Sequence, residues 1–138
     1  MTLEQEINQL LVVGIIDSVN CRNDLTEENF PQLVGRGTSF PASLSELSLS
    51  PVSWIYCGDA LDAIKLHGCL SGSMIDLIRY ARRWDRLTPV IALGSIWRER
   101  PGNYYAGCLN VTDQGRELTL RDVDYGFNEK DRFLVMQK

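Results

Sequence analysis

No stretch of this sequence is apolar for long enough to cross a bilayer. The longest such run, residues 10–16, falls far short of the ~20 residues that a spanning helix needs. The start does not read as a secretory leader either, because Glu4 and Glu6 stand where Lys or Arg would precede an apolar core. A cytoplasmic address with no membrane contact is the expectation. Cys21, Cys57, Cys69 and Cys108 show no Cys-x-x-Cys spacing, so reduced, buried thiols are expected of them.

Several chemistries lack their signatures. Gly35-Arg36-Gly37 has neither the further glycine nor the preceding strand of a phosphate loop, and no Gly-x-Ser-x-Gly nucleophile turn occurs. His67 is the single histidine; with Cys57, Cys69 and Cys108 it could make four metal ligands, but without the close pairs of common zinc modules. No metal and no cofactor are expected. There is no internal repeat, and no basic run interleaved with aromatics of the kind that grips single-stranded nucleic acid.

What is present is the balance of an ordinary globular domain: 138 residues, 44% hydrophobic and 23% charged, with a net charge of -4. One domain spanning residues 1–138 is expected. Residues 1–72 carry nine acids against three bases and residues 73–138 nine acids against eleven bases. An acidic whole argues against nucleic acid as a partner, because that binding is driven by neutralising phosphates.

Thr2 and Gln5 have capping-box spacing, and Leu3, Ile7, Leu10, Leu11 and Gly14 recur at helical intervals, predicting a helix over residues 3–20. The β-branched cluster Val12, Val13, Ile15, Ile16 supports the alternative of a switch to strand near Leu10. A helical turn over residues 26–33 would be limited by Pro31. The serine-rich residues 35–50 read as a surface crossover, the best lid candidate in the chain. Residues 52–56 read as a short buried strand, followed by a helix capped by Asp59, with Asp62 in its first turn and Gly68 as its stop. Ser73 with Asp76 starts a second helix, whose apolar stripe is Met74, Leu77, Ile78, Ala81 and Trp84.

After Pro89 the period changes to that of strands, over residues 90–97, 104–111, 117–123 and 132–136. Pro101-Gly102, Asp113-Gln114-Gly115 and the looser residues 125–131 would link them as antiparallel neighbours. Leu118 and Leu120 face one way and Thr119 and Arg121 the other, whereas the first strand is apolar on both faces and should lie deeper. The expected fold is therefore α+β: N-terminal helices, a short strand and a helical hairpin, then a four-stranded antiparallel meander packed on the helices. Over residues 52–138 this order resembles the hotdog and the cone-shaped nuclear-transport-factor-like topologies. That likeness implies a fold and no function.

Three sets of residues are candidates for function. Arg79, Arg82, Arg83 and Arg86 fall in one arc of the second helix, opposite its apolar stripe, and Arg98 and Arg100 could extend it; guanidiniums in a row can hold phosphates or carboxylates through forked hydrogen bonds. The plainer account is a solvated face, with cations placed where the helix dipole favours them. Cys57, Asp59 and His67 form a catalytic candidate, since a thiol at a helix N-terminus can be activated, but a helix between Cys57 and His67 would hold them too far apart for proton transfer. Trp54, Tyr56, Trp97 and Tyr105 could line a pocket between sheet and helices, or serve simply as core. Asp122 and Asp124 share one side of a strand, where solvent exposure is their plain reading.

Without a coherent catalytic set, the expectation is a noncatalytic interaction module that engages itself, as a homodimer, or a protein partner. Its rival is a small-molecule binder or enzyme with a cavity between a curved sheet and the helices.

Overall fold

The structure, a computed structural model, describes residues 2–20, 43–49, 53–98 and 103–137. The helical turn expected over residues 26–33, Gly35-Arg36-Gly37, Cys21, Arg100 and the Pro101-Gly102 link lie outside the described residues, as do residues 35–42 of the lid candidate.

Helix α1 (Leu3–Val12) begins on the capping box read in the sequence: Thr2 Oγ1 accepts from the Gln5 amide at 3.2 Å, and the Thr2 amide donates to Gln5 Oε1 at 2.8 Å. It ends eight residues before the predicted residue 20. Gly14 adopts φ +77°, a left-handed turn that only glycine makes cheaply, and the amide of Ile15 closes back on the Leu10 carbonyl at 3.0 Å. The chain then leaves the helix and gives β1 (Ser18–Val19).

Inside the serine-rich stretch, residues expected to be a surface crossover instead form β2 (Leu44–Ser48), with Leu44 buried against the core. The strand expected over residues 52–56 is reduced, among the described residues, to β3 (Trp54–Ile55). Helix α2 (Cys57–Leu66) starts two residues before the expected Asp59 cap, with Tyr56 as a cap that makes no side-chain bond, and it stops at Gly68 (φ +72°) as predicted. Strand β4 (Cys69–Ser71) follows, then α3 (Met74–Tyr80) with a single 3-10 turn at Ala81–Arg83. The remaining strands are β5 (Val90–Arg98), β6 (Tyr104–Thr112), β7 (Gly115–Asp122), β8 (Phe127–Asn128) and β9 (Arg132–Gln137).

The α+β class stands, but the arrangement differs from the expected meander. Among the described residues, seven strands form one mixed sheet in the order β1-β7-β6-β5-β9-β2, with β4 also paired to β9. Strands β5, β6 and β7 run antiparallel as predicted, yet β9 does not follow β7; it lies on the far side of β5 and parallel to it, and β1 is parallel to β7. The physical reason is the link after β7. Its Phe127 is fully buried and meets Phe133 edge-on at 5.1 Å, so the link lies over the sheet as β8, paired with β3, and carries the chain past β6 and β5.

Two buried clusters mark the two covered faces of the sheet. On one, Ile7, Leu10, Met74, Leu77, Ile78 and Trp84 from α1, α3 and the turn after it meet Val90, Ala92, Leu109, Leu118 and Leu134. On the other, Ala60 and Ile64 of α2 join Phe127 over Ile91, Ala106, Cys108, Phe133 and Val135. The expected hairpin of helices is therefore not seen: β4 separates α2 from α3, and they pack on opposite faces.

Helix α3 is seated by a break in β5. Between Ala92 and Ile96 the register to β6 slips, leaving Leu93, Gly94 and Ser95 as a bulge. Ser95 Oγ is thereby turned to accept the Met74 amide at 3.0 Å, satisfying a donor in the first turn of α3, while Ser73 and Asp76 close a capping box around it.

Candidate functional site

The face of the sheet carrying α2 and β8 is only partly covered. Where β6 and β7 extend beyond that cover, a groove of about 610 Å³ opens, in the size range of small-molecule sites. Its floor is a ladder of cross-strand pairs, Asn110 with Glu117 and Cys108 with Thr119, continued by Arg121 on β7. The facing wall is the turn carrying Asn128, Lys130 and Asp131, with Leu87 and Pro89 ahead of β5 beside it; the Pro89 carbonyl accepts the Arg132 amide at 3.0 Å.

The floor is positioned by bonds at both ends. Arg121 lies across β6, whose Ala106 and Cys108 are small enough to let it pass, and donates from both terminal nitrogens to Asp131 at 2.6 and 2.8 Å. Asp131, itself buried, also accepts the Asn128 amide at 2.9 Å, and the Arg121 guanidinium stands 5.3 Å from the Phe127 ring centre. At the other end the Glu117 carboxylate accepts from Asn110 Nδ2 at 3.4 Å on one oxygen and from Asn20 Nδ2 on the other. The Cys108 thiol on the floor is fully buried, and burial pushes it up to about 12. It stays protonated at neutral pH, which makes it a small apolar floor tile rather than a nucleophile.

Of the residues singled out from sequence, Cys57 opens α2 and His67 caps its far end, about 15 Å away at 1.5 Å per residue. The His67 ring contacts the Ala63 carbonyl at 2.8 Å, and Asp59 sits exposed in the first turn; the structure does not bring the three together. Burial, followed by the charge of Asp124, pushes the Cys57 thiol up, away from the reactive thiolate. Among the described residues no three His, Cys, Asp or Glu side chains converge as a metal centre would require, and no helix is long and apolar enough to cross a membrane.

The arginine arc is broken by the end of α3 at Tyr80. Arg79 remains on the helix and bridges to Glu6 of α1 at 3.4 Å; Arg82 donates to Gln9 at 3.2 Å; Arg83 donates to the Leu44 carbonyl and stacks 4.9 Å from the Tyr80 ring centre. These three tie α3 and its 3-10 turn to α1 and β2. Arg86, beyond the turn, has a left-handed backbone (φ 65°) and is exposed. The Arg98 side chain lies outside the described residues.

The four aromatics do not share a pocket either. Trp97 and Tyr105 form a cross-strand ring pair at 5.9 Å, whereas Trp54 and Tyr56 are 49% and 62% exposed beside β8 and α2. The groove residues missed in the sequence were not all without a signal. A two-residue turn at Asp113-Gln114 sets the register that pairs Asn110 with Glu117 and Cys108 with Thr119, and the outward alternation of Thr119 and Arg121 was visible. Lys130 and Asp131 carried no such signal, since they arrive by the crossover.

Comparisons with protein-family models, with curated proteins and with solved structures find no match to this chain.

Proposed function

We propose that this domain is a noncatalytic binding module that takes up a small polar molecule in the groove over β6 and β7. The observation that carries the reading is the polar ladder itself. Asn110, Glu117, Thr119 and Arg121 face an open concavity on a sheet whose other described surfaces are packed by helices and by β8. Polar groups fixed by neighbouring bonds in a concave site recognise a ligand without first being ordered, which lowers the entropic cost of binding. A protonated, buried thiol and the separation of Cys57 from His67 support binding without turnover. A cytoplasmic address belongs to the same proposal, resting on Cys57, Cys69 and Cys108 as free thiols.

The test is amide-shift mapping against a panel of amino acids, short peptides, sugars and nucleotides, repeated on Thr119→Trp, which fills the groove. A true ligand shifts residues 108–121 and 128–131 in the parent and not in the variant. Binding that ignores Thr119→Trp, or maps elsewhere, removes the proposal.

A second reading, engagement of a protein partner or a second copy, is favoured by one observation. The Trp54 indole lies against Gly126, beside Tyr125 at 74% exposure, and Tyr104 is tied to the adjacent Asp124 by its amide at 3.0 Å. Exposed aromatics of this kind are enriched in interfaces. Sedimentation of the parent and of Trp54→Ser with Tyr125→Ser tests self-association; identical monomers at all concentrations would remove the homodimer.

A further inference from the structure

Resting on the groove as the binding site, we infer that its occupant is an elongated dipolar molecule, cationic at the end that meets Glu117 and anionic at the end that meets Lys130. The groove holds four charged side chains, and two of them cancel: Arg121 and Asp131 are joined by two short hydrogen bonds. The other two do not. Glu117 accepts only from the uncharged amides of Asn110 and Asn20, and among the described residues no cation pairs with it. Both of its oxygens are held in place by those amides, and among the described residues no cation offsets its charge. Lys130, exposed on the opposing turn, pairs with no carboxylate among the described residues.

The two free charges sit on opposite sides of the groove. Glu117 is on β7 and Lys130 stands just ahead of β9, three strands away in the sheet order, about 14 Å at roughly 4.8 Å between strands. With both side chains leaning inward, a ligand touching each needs charges about 10 Å apart, the span of three extended residues. A single amino acid, with its charges on one carbon, is too short to meet both. A dianion would gain at Lys130 and be repelled at Glu117, and a neutral sugar would leave both charges unanswered. A short zwitterionic peptide, or a chain of the same length and polarity, fits the groove's charges and its volume.

The experiment uses trialanine as the probe, in four forms: free, N-acetylated, C-amidated, and blocked at both ends. Amide-shift titrations on the full chain are expected to place the free form in the groove, about tenfold tighter than the doubly blocked one, with the gain shrinking as salt rises. Glu117→Gln should erase the penalty for acetylating the amine and leave the penalty for amidation; Lys130→Met should do the reverse. Either variant's amide spectrum reports whether it is folded. Equal binding of all four forms in the groove, or no groove shifts with trialanine while another panel member binds there, overturns this inference and leaves the groove reading intact. Silence from the whole panel overturns both.

Discussion

Arg121 and Asp131 meet through two hydrogen bonds, 2.6 and 2.8 Å long, that join β7 to the start of β9 across the two strands between them. Backbone pairing holds neighbouring strands together, but these two have no shared edge. The pair therefore fastens the crossover that carries Phe127 over the sheet, and it also builds one end of the groove.

Asp131→Asn should cost stability. The carboxylate is 2% exposed, while the arginine side chain keeps about a quarter of its surface in solvent, so water recovers part of the loss. About 2–4 kcal/mol is expected from urea unfolding, with amide exchange rising over residues 127–131. Replacing both partners, as Asp131→Asn with Arg121→Met, should recover part of it, because no charge is then stranded. A loss below about 0.5 kcal/mol would mean that the crossover is held by Phe127 alone.

Two glycines under α3 and beside β4 give a graded prediction. A Cβ on Gly107 would overlap the Met74 sulfur, and one on Gly94 would meet the Gly72 carbonyl oxygen at 2.5 Å and the Ser71 oxygen at 2.6 Å. Methionine has three rotatable bonds and can yield; the Gly72 carbonyl, which accepts the Gly94 amide at 2.8 Å, and the Ser71 carbonyl of β4 are backbone and cannot. Gly107→Ala should cost about 1–2 kcal/mol and Gly94→Ala more, ~3 kcal/mol or above, measured by chemical denaturation. Met74→Ala should partly rescue Gly107→Ala and do nothing for Gly94→Ala. The reverse order would contradict the close approach of β4 to β5.

The contrast between local and distant signals explains how much of this was legible in the sequence. Thr2 with Gln5 and Ser73 with Asp76 announce their helices because a capping box is complete within four residues. Met74, Leu77, Ile78, Ala81 and Trp84 are all buried, as their spacing implied. The β6–β7 hairpin follows from its turn. The position of β9 does not, because nothing within residues 123–137 states that the chain will lie over the sheet before it pairs. The end of α1 was obscured by the apolar residues on both sides of Gly14: Val12 and Val13 before it prove to be exposed, and Ile16 after it is buried. Half of the groove floor was readable as outward alternation on β7; its facing wall depends on the crossover and was hidden with it.

Alkaline pH should unfold this protein through Cys108 and Tyr80. Burial pushes the Cys108 thiol from 9.0 up to about 12, and burial with the Glu46 hydrogen bond pushes the Tyr80 hydroxyl from 10.0 up to about 12. Each folded-state value lies above the unfolded one. The stability they contribute is whole below pH 9, and it is lost as pH rises through 9 to 12 for the thiol and 10 to 12 for the phenol. Cys108→Ala should be less stable than the parent at pH 7 by about 1–2 kcal/mol, from the lost sulfur packing. Its stability should then fall less steeply from pH 9 upward, with roughly 4 kcal/mol as the ceiling on the difference recovered. Parallel curves across that range would show that the thiol is not dry.

Cys57 should be a slow thiol despite opening a helix. The N-terminus of α2 favours a thiolate, but burial and the nearby Asp124 charge work against it, and the net direction is upward. In a Cys21→Ser background, where Cys69 and Cys108 are buried, its reaction with a disulfide reagent at pH 7.5 should be slower than that of free cysteine. Asp124→Asn should quicken it about two- to fivefold by removing a negative charge. His67→Ala should leave the rate and its pH profile unchanged, since His67 stands at the opposite end of α2 with its ring against the Ala63 carbonyl. A fast reaction that loses its pH dependence in His67→Ala would reinstate a paired thiol and imidazole, and with it the catalytic candidate that the sequence suggested.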